Sequence, residues 1–286
     1  LTDKVLLQQQ ANTADILTAS GQVFVQKSQA GGGSPVVRGF EASRVLLMVD
    51  GVRMNSAIFR AGHLQNIITV DNMILDRVEI IYGPSSTLFG SDALGGVVNL
   101  FTKQPQLFKS NLVSKKAPWK TNGNLVYRFG NGQNEQRQHV DLNIANNKWA
   151  FLTSVTKSNF GDMRQGNKRL AAYPDFGKRL FYVARENNTD VIKDNSAFVN
   201  IQKLSGYNQI DLLQKVLFKP NDNTEHLLNV QVSNSSDINR YDRLTETSKG
   251  LPVFSEWFYG PQVRNMIGYK LTKSNLNGYF QKLTTN

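Results

Sequence analysis

The side chains that could bind or transform a ligand are few in this chain, and they are scattered. Its histidines stand at positions 63, 139 and 226. His63 falls in an irregular stretch with Arg60 and Asn66 nearby. A neutral imidazole there can ligate iron, and the adjacent guanidinium can meet a carboxylate; an ordinary hydrogen-bonded loop histidine is the plainer reading. His139 and His226 lie inside alternating segments and read as interface or lumen residues. Cysteine is absent, so disulfides and thiolate chemistry are out. Asp50, Asp76 and Glu79 show no acid–base or metal spacing, so no enzyme is expected. Gly31-Gly32-Gly33 has no lysine at the P-loop spacing and no strand–GxGxxG–helix order, so no nucleotide site is expected either.

The elements that hold these residues divide into two regions. The first, 1–104, is organised around 75–103: an alternating strand, Val78-Glu79-Ile80-Ile81-Tyr82, stopped by Gly83-Pro84, then a short Ser/Thr-rich turn, three glycines and an apolar strand from Val97 to Phe101. Asn12 or Thr13, with Asp15 in the first turn, predicts a short helix that Gly21 ends. Residues 44–52 read as a central apolar strand closed by an Asp50-Gly51 turn. Thr69-Val70-Asp71 is expected to cap a short helix running through Ile74 into Asp76. Together these make a small α/β domain.

The second region, 121–286, follows a linker at 105–120 and repeats a different pattern. Leu125, Tyr127 and Phe129 alternate with more polar neighbours; so do Val140, Leu142 and Ile144, and the pattern recurs through Val263, Ile267 and Tyr269 to a seventh strand near Leu276. Strands of this length cross a bilayer when tilted. Connections 159–209 and 237–261 are long, and the others are short. If the first strand leaves the periplasmic side, both long connections fall outside the cell, the sorting expected of an outer-membrane barrel. Seven strands cannot close around a hundred-residue domain, so the chain is expected to be the N-terminal portion of a larger protein. No run of 18 apolar residues exists, which excludes a membrane-spanning helix but not a barrel. The formal charge of +11 is dispersed, without a run of four basic residues, so nucleic acid is not an expected partner.

Four stretches in order resemble a TonB-dependent outer-membrane receptor: Val36-Val37-Arg38-Gly39-Phe40, Leu47-Met48-Val49-Asp50-Gly51-Val52-Arg53, Arg77-Val78-Glu79-Ile80-Ile81-Tyr82-Gly83-Pro84, and the run from Leu88 to Leu100. The resemblance implies a bacterial outer-membrane protein: a membrane β-barrel of roughly 22 strands with a small α/β plug domain in its lumen. It further implies active import, driven through a TonB-type periplasmic coupling protein. The plug's first strand and the coupling segment are expected upstream of Leu1. Gly51-Val52-Arg53-Met54-Asn55 and Ala61-Gly62-His63-Leu64, with loop segments around Tyr241 and Trp257, are similar to the haem and haemoprotein receptors. That similarity implies haem as the transported ligand rather than an intrinsic cofactor, with His63 on the iron and a haemoprotein or surface lipoprotein as a further partner. Arg60, Tyr241, Trp257 and Tyr259 join His63 as ligand-binding candidates; Trp257 to Tyr259 read equally well as part of an aromatic girdle. The positive charge of 159–209 suits an acidic ligand, a host protein or lipopolysaccharide. Arg38, Arg77, Glu79, Arg128 and Asp141 are expected at the plug–barrel interface, with Arg38 and Glu79 paired to each other or to lumen groups. The alternatives are import of a ferric siderophore, cobalamin or a glycan, or a structural role in an envelope complex.

Overall fold

A computed structural model describes residues 7–8, 10–27, 30–41, 44–54, 65–108, 118–276 and 281–285. The first helix, Thr13–Ala19, starts on a capping box. Asn12 accepts from the Asp15 amide, and the Asp15 carboxylate accepts from the Asn12 amide, at 3.1 and 3.2 Å. Strands β1 (Phe24–Gln26) and β2 (Ser34–Val36) pair beside it. A four-stranded sheet follows, ordered β4 (Val52–Arg53), β3 (Val45–Val49), β6 (Gly96–Thr102), β5 (Leu75–Tyr82).

The central pair β3–β6 is parallel. Every residue of β3 is buried, which explains its unbroken apolar run. Val45, Leu47 and Val49 pack on the helix side with Leu17 and Ile67, and Leu46 and Met48 pack on the opposite face with Ala93 and Val97. Asp50 (φ 49°) and Gly51 (φ 87°) form the β3–β4 turn, whose left-handed backbone Asp tolerates and Gly favours. Gly95 and Gly96 are required by close approach. A Cβ on Gly95 would lie 2.2 Å from that of Phe40, and one on Gly96 (φ 153°) would lie 2.5 Å from the Ile81 carbonyl oxygen. The helix expected over 71–76 is instead a single 3-10 turn, Asn72–Ile74, N-capped by Asp71. Pairing of Leu75 with Thr102 then pulls the chain into β5 three residues before the expected strand start.

Beyond the linker, β7 (Lys120–Gly130), β8 (Glu135–Ala145) and β9 (Trp149–Phe160) form an antiparallel meander. Residues 161–206 make a nested loop. β10 (Met163–Arg164) pairs with β13 (Ile201–Gln202) at its base, and β11 (Phe181–Glu186) pairs with β12 (Thr189–Asp194) above. β14 (Tyr207–Asn221) and β15 (Thr224–Ser235) continue the wall. A second nested loop follows, with β16 (Ile238–Asn239) on β19 (Phe258–Tyr259) around β17 (Thr247–Ser248) and β18 (Leu251–Pro252). β20 (Val263–Ser274) and β21 (Lys282–Thr285) complete an open seven-stranded sheet, ordered β21-β20-β15-β14-β9-β8-β7. Both nested loops leave the same edge of this meander.

Alternation along each wall strand separates two chemistries. One face carries Leu125, Tyr127, Leu142, Ile144, Ile210, Leu228 and Ile267, all exposed. The other carries Arg137, His139, Asp141, Ser154, Thr156, Asp211, Lys215, Gln231 and Ser233, all buried. A soluble sheet would bury the apolar set; this one buries the polar set against the plug, as a lipid-facing wall does. Near the short turns the outer face bears a row of rings. Trp119, Phe151, Trp149, Phe218, His226 and Tyr269 follow one another at centroid spacings of 4.0 to 6.1 Å. The row has the composition of an aromatic belt at a bilayer boundary. His226, expected inside, lies in this row with its Nδ1 2.7 Å from the Tyr269 hydroxyl.

Candidate functional site

The plug meets the wall through two plug carboxylates. Asp50 is held at the end of β3, where its turn backbone aims the side chain across β6. Its Oδ1 accepts from the Thr102 amide at 2.9 Å, and its Oδ2 from the Thr102 hydroxyl at 2.5 Å. The same Oδ2 accepts from Asn229 Nδ2 at 2.9 Å and Gln231 Nε2 at 3.0 Å, and it lies 3.0 Å from Lys215 Nζ. Lys215 has no solvent exposure. A buried ammonium of this kind needs its counter-charge and hydrogen bonds in place to offset desolvation. Asp50 was legible in the sequence only as a turn former; its wall contacts are a finding of the structure.

Asp71 is the second carboxylate. It accepts from Met73 N at 3.1 Å, capping its own turn, and from the Thr156 hydroxyl on β9. That hydroxyl links Asp71 to His139 on β8, whose Nδ1 is 2.7 Å from Thr156 Oγ1 and whose Nε2 is 3.1 Å from Asp141 Oδ2. Around this centre the wall's cations hold plug carbonyls and amides. Arg137 donates to Asn72 Oδ1 at 2.6 Å and to the Ala11 carbonyl. Arg128 donates to the Gln10 carbonyl at 2.8 Å, and Arg264 to that of Thr69 at 3.0 Å. Gln209 donates to the Ile68 carbonyl at 2.8 Å. Such a contact set is geometrically specific, and each of its members can also be hydrated.

One apolar part of the contact is at the loop end, where Phe160, Tyr207 and Ile238 join the plug core, and a second is Ile74 of the plug with Leu152 and Leu213 of the wall. Gly31 lies at the loop end too. A Cβ on it would come within 2.9 Å of both Ile238 Cγ2 and the Tyr207 ring. The glycine run thus lets plug backbone reach the wall.

Arg128 and Asp141 both face the plug. Arg128 is bound to Glu135, and Asp141 accepts from Lys103 Nζ at 2.8 Å and Asn124 Nδ2 at 2.9 Å. The expected Arg38–Glu79 pair does not form. Glu79 accepts from Arg77 Nε at 2.7 Å, because the two are next-but-one neighbours on the same face of β5, and Arg38 lies over the Tyr82 ring at 5.1 Å. Arg77 also stacks on Phe101 at 3.8 Å, so these contacts stay within the plug. His63 and Arg60 lie outside the described residues.

The three loop aromatics are brought into one assembly with arginines. Arg179 lies 5.7 Å from the Tyr241 ring, Arg243 5.4 Å from Trp257, and Arg240 5.5 Å from Tyr259, whose hydroxyl accepts from Arg240 at 3.3 Å. Burial raises the Tyr241 phenol above its ordinary pKa, with Arg179 opposing. The two nested loops are stitched together by Ser255 Oγ donating to Asp190 Oδ1 at 2.7 Å, and by Asn239 Nδ2 donating to the Leu204 carbonyl at 2.8 Å. Arg185 and Ser255 together hold the Asp190 carboxyl below its ordinary range, the hydroxyl contributing most. Among the described residues, no group of three or more His, Cys, Asp or Glu is arranged to hold a metal ion.

Residues 2–97 match the family model for the TonB-dependent Receptor Plug Domain. Over 117 residues the chain is 39% identical to the Vitamin B12 transporter BtuB of Vibrio vulnificus (strain CMCP6), spanning 38% of this chain and 18% of that one. Its fold is similar to that of the copper transporter OprC, at TM-score 0.65 and 14% identity, over 97% of this chain and 35% of the other. It is also similar to the FrpB iron transporter from Neisseria meningitidis, at TM-score 0.61 and 15% identity, over 96% and 37% of the two chains. The ferric enterobactin receptor of Pseudomonas aeruginosa gives TM-score 0.56 and 16% identity, over 88% and 35%. The chain therefore spans about a fifth to two fifths of the length of these relatives. Residues 2–97 are thus a TonB-dependent receptor plug domain, and the strands after them form a wall that turns its polar face towards that plug, in a protein of the bacterial outer membrane.

Proposed function

We propose that this chain serves active import of a small metal-bearing solute across the outer membrane, with cobalamin, a ferric siderophore or a metal ion as the solute class. The observation that carries the reading is the plug–wall interface. The plug is fixed by Asp50 and Asp71 to a polar wall, as a stopper must be if it is to block the lumen at rest yet shift when worked upon. A TonB-type periplasmic protein would do that work, in a membrane bearing lipopolysaccharide outside. What the relatives carry supports the solute class: vitamin B12, copper, iron and ferric enterobactin. None of those names points to haem, the first reading of the sequence. Haem rests on the similarity of Gly51–Asn55, Ala61–Leu64 and the segments around Tyr241 and Trp257 to the haem receptors.

One binding panel tests both. Purified full-length receptor in detergent is titrated with cobalamin, a ferric siderophore, copper and hemin. Saturable binding of one of the first three, with no Soret shift for hemin, supports the proposal. A hemin Soret shift that His63→Ala abolishes would replace it with the haem reading. Saturation by none of the four would refute both.

A further inference from the structure

The two stitched outer loops enclose a cleft of about 210 Å³ that has no part in the plug–wall interface. Its walls come from the β11 strand (Phe181, Val183), the segment before it (Lys178, Arg179), Lys203, and the helical turn Tyr241–Leu244 with Phe254 beyond. Drug-sized ligands occupy clefts of roughly 300–1,000 Å³. The space here suits one ring with a small substituent.

The lining has a definite chemistry. Lys178, Arg179 and Lys203 all border the cleft, and no aspartate or glutamate does. Lys178 is drawn off by Asp175 at 2.7 Å, an exposed carboxylate outside the cleft. Arg179 and Lys203 lie against rings instead, Lys203 5.8 Å from Phe198. Arg179 also keeps a solvent-shielded Nε with no hydrogen-bond partner. An unpaired buried donor of that kind carries a desolvation cost that an incoming acceptor would relieve. The Tyr241 phenol stays protonated at neutral pH and can donate. Phe181, Tyr241 and Phe254 supply ring faces and edges for a flat apolar body.

We propose that this cleft binds a small aromatic carboxylate, its anion on Arg179 and Lys203 and its ring among Phe181, Tyr241 and Phe254. A divalent metal is disfavoured by the absence of acidic lining. An aliphatic anion would leave the rings unused, and a neutral arene would leave the cations unanswered. The site is independent of which solute the receptor imports, and its test reads binding rather than uptake.

The test is calorimetric titration of the full-length receptor with benzoate, cyclohexanecarboxylate, benzamide and inorganic phosphate. Benzoate is expected to saturate at roughly millimolar concentration or tighter, at least about tenfold better than the other three. Arg179→Gln is expected to weaken benzoate about tenfold or more, and Lys203→Gln to weaken it severalfold. Lys203→Gln serves as the second variant should Arg179→Gln disturb the loops, which the fluorescence of Trp257 would report. Benzoate binding no tighter than phosphate, no benzoate saturation, or unchanged affinity in both folded variants would overturn the assignment.

Discussion

The Asp50–Lys215 contact yields a prediction that is directional as well as quantitative. Asp50→Asn keeps the left-handed turn, since Asn tolerates φ 49°, and removes only the charge and one acceptor. It sets an amide N–H₂ against Lys215, Asn229 and Gln231, which all donate to this position, and it leaves the fully buried ammonium without a counter-ion. Breaking a buried ion pair on one side costs about 3–5 kcal/mol. Lys215→Met is gentler, because Asp50 retains its donors from Thr102, Asn229 and Gln231; the loss is about 1.5–3 kcal/mol. These residues hold no cysteine, so Ser154→Cys adds the one thiol among them, in a full-length receptor freed of any other. Ser154 is 1% exposed on the plug-facing side of β9, and its hydroxyl has no partner to lose. Maleimide labelling of that thiol in the purified full-length receptor measures how often the plug leaves the wall. Asp50→Asn should speed labelling by roughly a hundredfold to a few thousandfold, and Lys215→Met by roughly ten- to a hundredfold. The double variant should label more slowly than Asp50→Asn alone, because it removes the orphaned ammonium. Labelling within threefold of the parent in Asp50→Asn, or a larger effect from Lys215→Met, would refute the argument.

Three further outcomes follow from other contacts. Gly96→Ala must both displace the Ile81 carbonyl and hold a strained φ, so it should open the plug sheet; protease cutting within 75–102 should rise well above that of Gly132→Ala, a position with open space around it. Asp190 has a depressed carboxyl, so its contribution to loop docking is fully present above the ordinary carboxylate value of about 3.9 and is lost as pH falls through its lower folded value. Trp257 fluorescence should therefore stay flat from neutral pH to about 5 and change only in strong acid, and Ser255→Ala should move that change towards higher pH. Trp149→Ala, which removes the 4.0 Å stack on Phe218, should cost about 1 kcal/mol beyond lost area, with Trp149→Phe retaining most of it, as read from unfolding in lipid vesicles.

The wall strands were legible because period-two alternation is local: Leu125, Tyr127 and Phe129 declare an outward face without knowledge of any neighbour. The Asn12 cap and the Asp50-Gly51 turn were legible for the same reason. What Asp50 touches was not, since its partners stand 52, 179 and 181 residues away: β6 of the plug sheet brings Thr102, and β15 of the wall brings Asn229 and Gln231. The short 3-10 turn at 72–74 escaped because the pull of β6 on Leu75 is a pairing effect rather than a propensity. Arg77 and Glu79 misled for the opposite reason. Their closest partners are each other, and a local ion pair satisfies charges that a lumen-docking argument had assigned to distant ones. In the loops, aromatics and arginines were both visible, but their pairing across Arg179 and Tyr241 depends on two hairpins meeting.

A stopper seated on amides, hydroxyls and ion pairs has a particular mechanical character. Each such bond has an aqueous equivalent, so water can enter the seam and take over contacts one at a time, acting as a lubricant instead of a penalty. The oily contacts, Phe160, Tyr207 and Ile238 at the loop end and Ile74 on Leu152 and Leu213, have no such substitute. A pull would therefore wet and slide the polar seam progressively, and these apolar contacts would be the last seals to part.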